Sequence, residues 1–272
     1  MRLQEYGVGI FATLSTKSAL KKALKKERIL VDGKIASTAT FIHGGECIQF
    51  KGNIASSTRK KLRLDLEVLY EDEYLAIIHK PAGILVSGNS FKTIANALSQ
   101  NITKSNQSDA VEPQPAHRLD YPTTGALLIG KTSKSILGLN QLFEYKKITK
   151  TYYAVTIGKM DARGSVTKTI DNKEAISTYE VLQTVSSKRF EYLNLVKLFP
   201  KTGRRHQLRK HLAFIGNPIL GDATYGIENM ILKGKGLYLH AIALQFIHPH
   251  TNENITIEDQ LPAKFEKLFG SI

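Results

Sequence analysis

The sequence is poor in cysteine, in acidic residues and in long apolar runs. Its single cysteine, Cys47, excludes a disulfide within the chain and any cysteine-rich metal site. No stretch approaches the roughly 20 apolar residues that a helix needs to span a bilayer. Arg2 and Glu5 stand beside a short apolar run broken by glycine, which does not fit a secretory signal. A cytoplasmic protein is expected. No Gly-x-Gly-x-x-Gly follows a strand-like segment, so a bound nucleotide cofactor is not expected. The eight histidines lack the His-Glu-x-x-His spacing, which counts against a metal-dependent nuclease.

What is present is a chain of 272 residues, 42 % apolar and 23 % charged, an ordinary globular mix with room for one large domain or two unequal ones. Its 24 acidic residues face 38 Lys and Arg, a net charge of +14. Such a basic balance suits a polyanionic partner, most often nucleic acid. The charge is also focused. Residues 1–60 hold eleven Lys/Arg and four acids, half the net charge in under a quarter of the chain. Lys201, Arg204, Arg205, Arg209 and Lys210 make a second cluster, with no acid among residues 201–211.

Within the first cluster, Ser15 and Thr16 are candidate N-caps for a helix over residues 17–27. Ala19, Leu20, Ala23 and Leu24 give it a narrow apolar stripe, and Lys17, Lys21, Lys22, Lys25 and Lys26 occupy the rest. Arg28 follows. Asp32-Gly33 then separates two short apolar segments, a strong hairpin signal because both turn residues tolerate positive φ. Gly44-Gly45 precedes a short strand at 47–50. Taken alone, the helix reads equally as a solvated amphipathic surface or as a phosphate-binding face. Residues 56–63 are polar and basic and read as a linker, which divides the chain into domains 1–55 and 64–272.

The larger domain has strand-like segments at 74–79, 126–130, 152–157, 177–182, 192–198 and 237–247. Helical patterns fall at 93–101, 133–145 and 204–215. Strands outnumber helices and short turns join several of them, which predicts an α+β fold with a mixed, largely antiparallel sheet.

Three segments could carry chemistry. His117-Arg118-Leu119-Asp120 precedes a turn at Pro122 and Gly125 that feeds an apolar strand, so Asp120 should stand on a loop at the end of a rigid sheet. An isolated Arg-x-Asp is more often a simple turn cap. On the 204–215 helix, Arg205 and Arg209 are four apart and should share a face, where a guanidinium could hold a carboxylate ionised in a dry pocket. An exposed basic helix explains the same pattern. Tyr152 sits in a strand pattern, where a tyrosine is usually core. His206 and His211 read as packing or hydrogen-bonding residues.

In combination and in order, these segments resemble the RluA/RluD family of RNA pseudouridine synthases. The resembling stretches are Lys80-Pro-Ala-Gly83, His117-Arg-Leu-Asp120 with Thr123-Thr-Gly125, and Lys150-x-Tyr152-x-Ala154. They continue with Thr202-Gly-Arg-x-His-Gln-Leu-Arg209-x-His211, Gly221-Asp222-x-x-Tyr225-Gly226, Leu239-His240-Ala241 and His248-Pro249. The stretch around residues 18–34 resembles the alpha-L RNA-binding domain that many members of this family carry. The sequence departs from the family pattern at Arg205, where Thr or Ser is usual, and at His79, where Asn is usual. The loop at 87–90 lacks the usual Pro-Gly.

The resemblance implies a pseudouridine synthase fold and isomerisation of uridine within ribosomal or transfer RNA, with no cofactor and no metal. It makes Asp120 the nucleophile, Arg209 its ion-pair partner and Tyr152 the residue that stacks on uracil. It places His117, Arg118, Arg204 and Arg205 against the RNA, together with Lys17, Lys21, Lys22, Lys25, Lys26 and Arg28. The expected protein is a monomer without an obligate protein partner. A non-catalytic RNA-binding protein with a lapsed synthase domain is the main alternative, and it predicts loss of the acid, the tyrosine or the arginine.

Overall fold

The computed structural model describes residues 1–11, 14, 16–51, 61–232 and 234–270. A single turn, α1 (Leu3–Tyr6), precedes α2 (Lys17–Lys25). The Thr16 hydroxyl caps α2 by accepting the Ala19 N–H at 3.1 Å, while Ser15 lies outside the described residues. Helix α2 ends at Lys25, before Glu27 takes a positive φ of 56°. It buries Leu20, Ala23 and Leu24 and leaves Lys17, Lys21, Lys22, Lys25 and Lys26 exposed. Strands β1 (Ile29–Val31) and β2 (Lys34–Ile35) form the expected hairpin, with Asp32 and Gly33 at φ 48° and 77°. Strand β3 (Ile48–Phe50) pairs with the other edge of β1. The apolar cluster beneath them, including Leu3, Leu20, Ile29 and Ile42, draws only on residues 3–50.

Residues 56–60 of the expected linker lie outside the described residues. Leu62 already belongs to the larger body: its N–H donates to the Asn96 carbonyl at 3.0 Å, and its own carbonyl accepts from Gln100 at 2.5 Å.

That body begins with β4 (Val68–Glu71) and β5 (Leu75–Lys80), followed by the single turn α3 (Leu98–Asn101) and β6 (Ala110–Pro115). Next come β7 (Thr124–Thr132), α4 (Ser133–Glu144), β8 (Thr149–Ile157), β9 (Arg163–Val166), β10 (Ser177–Ser187) and β11 (Glu191–Pro200). Helix α5 (Gln207–Phe214), β12 (Leu239–Ile247), β13 (Asn254–Glu258) and α6 (Ala263–Phe269) complete it. The sheet order is β4-β5-β7-β12-β8-β11-β10-β9, with β6 also on β7 and β13 also on β12. Every pairing is antiparallel except β7 with β12. The fold is the expected α+β type. Strands β4, β6, β9 and β13 and helix α6 fall outside the strand and helix segments expected from the sequence. Strand β6 reads Ala-Val-Glu-Pro-Gln-Pro, and two prolines in six residues suppress a strand pattern.

The parallel contact is short: Thr124 faces His240 and Gly125 faces Ala241. Beyond it, β7 takes β6 as a neighbour and β12 takes β13. The two halves of the sheet therefore meet over two residues. Gly125 (φ 117°) is required there, because a Cβ would run into the backbone of Ala241. The loop that carries Asp120 ends on this joint.

One sequence pattern misleads, and one local expectation needs correction. Residues 125–132, Gly-Ala-Leu-Leu-Ile-Gly-Lys-Thr, carry the letters of a phosphate-binding loop. They lie instead in buried strand β7, where Lys131 pairs with Glu71 at 2.7 Å and Thr132 caps α4. A phosphate cradle needs free backbone N–H groups, and a paired strand offers none. The expectation to correct concerns α5, which starts at Gln207 because His206 adopts the left-handed conformation (φ 56°, ψ 27°). Arg205 therefore does not share a helical face with Arg209. Arg205 is exposed, while Arg209 is 4 % exposed. No helix among the described residues is long and apolar enough to cross a membrane.

Candidate active site

The loop between β6 and β7 is fastened from below by a buried cation. Lys80, at the end of β5, is fully buried. Its ammonium donates to the carbonyls of Pro81 (2.9 Å), Tyr121 (3.3 Å) and Thr123 (2.8 Å). Three acceptors satisfy three N–H donors, which makes burial of the group tolerable. Burial still pulls its pKa down to about 8, against the opposing charge of Asp120. The Thr123 N–H closes the turn onto the Asp120 carbonyl at 3.1 Å. With its backbone pinned in this way, Asp120 presents a carboxylate that is 17 % exposed to a cleft of about 680 Å³.

His117, at the start of the same loop, packs on Phe143 with ring centroids 4.8 Å apart and accepts the Leu128 N–H at 3.0 Å. Burial, then the charge of Lys150, drive its pKa down to about 3. It is a neutral strut that ties the loop to β7, and it also lines the cleft.

Helix α5 forms the facing wall. Gln207 locks its entry by accepting from the Thr202 hydroxyl (2.7 Å) and the Arg204 N–H (3.0 Å) while donating to the Ile176 carbonyl (2.9 Å). Arg209 points into the cleft, and its main partner is not Asp120. It makes a two-pronged pair with Asp222, Nε at 2.7 Å and a terminal nitrogen at 2.8 Å. Its other terminal nitrogen is 3.6 Å from Asp120 Oδ2. The guanidinium thus faces both carboxylates and is fixed by the buried one. Burial works against the charge on Arg209, but the hydrogen bonds and charge of Asp222, and then the charge of Asp120, outweigh it and raise its pKa. For Asp222, burial works to raise the pKa, and Arg209 with the N–H groups of Thr224 and Tyr225 pulls it below the usual carboxylate range.

The left-handed backbone at His206 turns its imidazole toward the same point. Nε2 lies 3.8 Å from Asp120 Oδ1 and Nδ1 is 2.9 Å from the Tyr225 hydroxyl. Burial lowers its pKa, with Asp120 opposing and Arg209 reinforcing the shift. Tyr152, on β8, packs against the apolar clusters of both sheet halves. Burial and the charge of Asp120 raise its phenol well above the ordinary tyrosine value, so it stays protonated.

The fold therefore brings Asp120, Tyr152 and Arg209 to one cleft. Arg118, Arg204 and Arg205 line it as exposed side chains. Lysines and arginines outnumber carboxylates on its wall by seven to two, which suits a polyanion. Lys17, Lys21, Lys22, Lys25, Lys26 and Arg28 are exposed and do not line it. Among the described residues no cluster of three or more His, Cys, Asp or Glu could hold a metal ion. Sequence reasoning named Lys80, Asp222 and Tyr225 only within motifs and gave them no role, and it read His206 as a packing or hydrogen-bonding residue, which its bond to Tyr225 fits. Lys80 left a signal, a lysine closing the apolar strand Leu-Ala-Ile-Ile-His-Lys; Asp222 left none beyond its motif.

A family model described as RNA pseudouridylate synthase matches residues 74–214. The chain is 30 % identical to ribosomal large subunit pseudouridine synthase C of Rickettsia bellii, covering 98 % of this chain and 96 % of that protein. It is also 30 % identical to tRNA pseudouridine synthase C of Vibrio parahaemolyticus, over 76 % of this chain and 94 % of that protein. Among solved structures, human RNA pseudouridylate synthase domain containing 4 superposes with a TM-score of 0.59 at 26 % identity, covering 73 % of this chain and 90 % of that one. With a loop-borne aspartate facing a buried arginine in a basic cleft, and with this likeness along nearly its whole length, the chain belongs to the RNA pseudouridylate synthase family, isomerases that convert uridine in RNA to pseudouridine.

Proposed function

We propose that Asp120 is the covalent nucleophile of this isomerase and that its substrate is a uridine in large-subunit ribosomal RNA. The observation that carries the reading is the Asp120 carboxylate held in a basic cleft, with the Arg209 guanidinium 3.6 Å away. Asp120 attacks either the ribose anomeric carbon or carbon 6 of uracil. The glycosidic bond breaks and the base turns; a carbon–carbon bond then forms at carbon 5, the bond to Asp120 is released, the carbon 5 proton leaves to solvent and N1 takes one proton up. Atoms are conserved throughout. Arg209, immobilised by Asp222, stabilises the carboxylate when it is free and when it departs. Tyr152, kept protonated, stacks on the uracil and orients it. The target base must leave the RNA stack to reach Asp120, and exposed Arg118 beside it fills the space vacated or holds the flipped phosphate.

Residues 1–55 form a separate module that grips RNA through phosphates, and residues 64–272 form the catalytic domain. Coverage favours ribosomal over transfer RNA. The Rickettsia relative, named for the ribosomal large subunit, matches 98 % of this chain, whereas the relative named for tRNA leaves about a quarter of it unmatched. The enzyme works as a cytoplasmic monomer.

The test is release of tritium from uracil carbon 5 in ribosomal and transfer transcripts, followed by mapping of the product. Release from large-subunit RNA alone is expected. Release from tRNA alone overturns the substrate assignment, and no release from any RNA favours a non-catalytic binder.

A further inference from the structure

The catalytic loop is held on one face of the sheet by Lys80. A different set of residues meets its downstream end on the other face, and nothing in the proposed chemistry uses them. In β5, His79 stands opposite Ala126, two residues beyond Thr124. In β12, His240 stands opposite Thr124 across the parallel joint. Pairing and alternation put Thr124, Ala126, His79 and His240 on one face. Asp259, just beyond β13, is buried against that face, its side chain 1 % exposed. Its Oδ2 lies 2.6 Å from His79 Nδ1 and 3.7 Å from His240 Nε2. His240 Nδ1 is hydrogen-bonded to the Thr124 hydroxyl at 2.8 Å. His240 is fully buried, and its Nε2 has no hydrogen-bond partner among the described residues. Asp259 Oδ1 accepts the Gln260 N–H at 2.8 Å, and the Asp259 N–H donates to the Ile242 carbonyl at 2.7 Å, so the carboxylate cannot drift.

We propose that Asp259 is a positioning residue for the isomerisation: by hydrogen-bonding His79 and standing beside His240, on the two strands that flank β7, it fixes Thr124 and with it the exit of the Asp120 loop. The proposal rests on the assignment of Asp120 as nucleophile. It also gives a role to His79, one of the two side chains at which this sequence departs from the family pattern. The joint between the sheet halves is two residues long, whereas β5 pairs with β7 from Gly125 to Gly130, so the angle left to be braced is the one between β7 and β12. A chain of side chains from β5 through Asp259 to β12 braces that angle. Catalytic geometry is sensitive to such bracing, since a displacement of about 1 Å can cost about a hundredfold in rate.

The brace responds to pH. Its charged neighbours are Asp259, Glu67, Lys80 and His240 around His79, and Asp259, His79 and Lys264 around His240. The hydrogen bond and charge of Asp259 raise the His79 pKa above its ordinary 6.5, with burial opposing. Burial lowers that of His240 to about 4, so His240 is neutral at physiological pH. The protonated His79–Asp259 pair is therefore complete below pH 6.5 and weakens as pH rises through the raised value.

The experiment is single-turnover pseudouridine formation by the full chain, with wild type, Asp259→Asn, His240→Gln and His79→Asn compared on one RNA. Asp259→Asn and His240→Gln should each lower the rate per folded molecule about tenfold or more while moving RNA affinity about twofold or less. The ratio of wild-type to His79→Asn rate should fall toward one between about pH 6 and about pH 9. In histidine-labelled unliganded protein, the His79 imidazole should titrate above 6.5, and this should be lost in Asp259→Asn. Unchanged rates for the folded variants, losses confined to RNA affinity, or a flat pH ratio each overturn the proposal while wild-type turnover stands. A wild type that modifies no RNA removes the functional reading and this proposal together.

Discussion

On α2 and its C-cap five lysines point outward from Lys17 to Lys26, and none of them forms an ion pair among the described residues. On α5 the decisive cation points inward: Arg209 is buried, forks onto Asp222 and faces Asp120. Both helices look basic in sequence, yet their charges have different physical status. The lysines keep their hydration and their mobility and can neutralise a phosphate at little cost. Arg209 has lost its water, and its charge is maintained by two carboxylates. Net charge measures attraction to RNA only where the charge remains in solvent; a buried cation acts on one chosen neighbour.

The comparison can be broken at several points. The largest effect is expected at Asp120. Asp120→Asn should abolish tritium release and leave RNA affinity close to wild type, because attraction comes from other residues; measurable turnover would remove the nucleophile. Next is Arg209→Met, which keeps the stem but strands Asp222 without its partner. Breaking a buried pair this way costs about 3–5 kcal/mol, readable as a lower denaturation midpoint, and turnover should collapse as well. Arg209→Lys should remain impaired because an ammonium cannot reproduce the fork.

Lys80 sharpens the point with pH. Its pKa in the folded protein, about 8, lies below the ordinary 10.5. Between these values the unfolded chain binds more protons, so folding stability rises with pH over that window. Denaturant titration of wild type against Lys80→Met from about pH 8 to about pH 10.5 should show this gain only in wild type. The smallest change is expected from Lys21, Lys22 and Lys25 replaced together by alanine. Stability should hardly move, while the slope of log affinity against log salt becomes shallower by up to about three. An unchanged slope would mean that α2 is a solvated face and that its lysines, though hydrated, do not meet RNA.

Much of this was legible in the sequence. The cap at Thr16, the stripe Leu20-Ala23-Leu24 and the Asp32-Gly33 turn are local, and local rules found them. Asp120 was placed on a loop at the end of a strand because turn residues and an apolar run follow it directly. The cores of β5, β7, β8, β10, β11 and β12 were found from their apolar residues. Strand β6 was missed because its prolines break the pattern and only the edge of β7 makes it a strand. Helix α5 was extended backward through His206 because nothing in the letters announces a left-handed residue, and that error carried Arg205 onto the wrong face.

The sequence by itself determined which residues are available: a basic amphipathic helix, an aspartate on a turn, an arginine-rich segment with Gln207 and Arg209, and their order along the chain. Periodicity states which side of an element a residue occupies. It does not state what stands opposite. That Arg209 is fixed by Asp222 before it meets Asp120, that Lys80 holds the loop from beneath, and that Asp259 bonds His79 and lies beside His240 are facts of the tertiary structure. Each depends on the approach of segments far apart in sequence. Their strength comes from burial, which removes the water that would otherwise screen them.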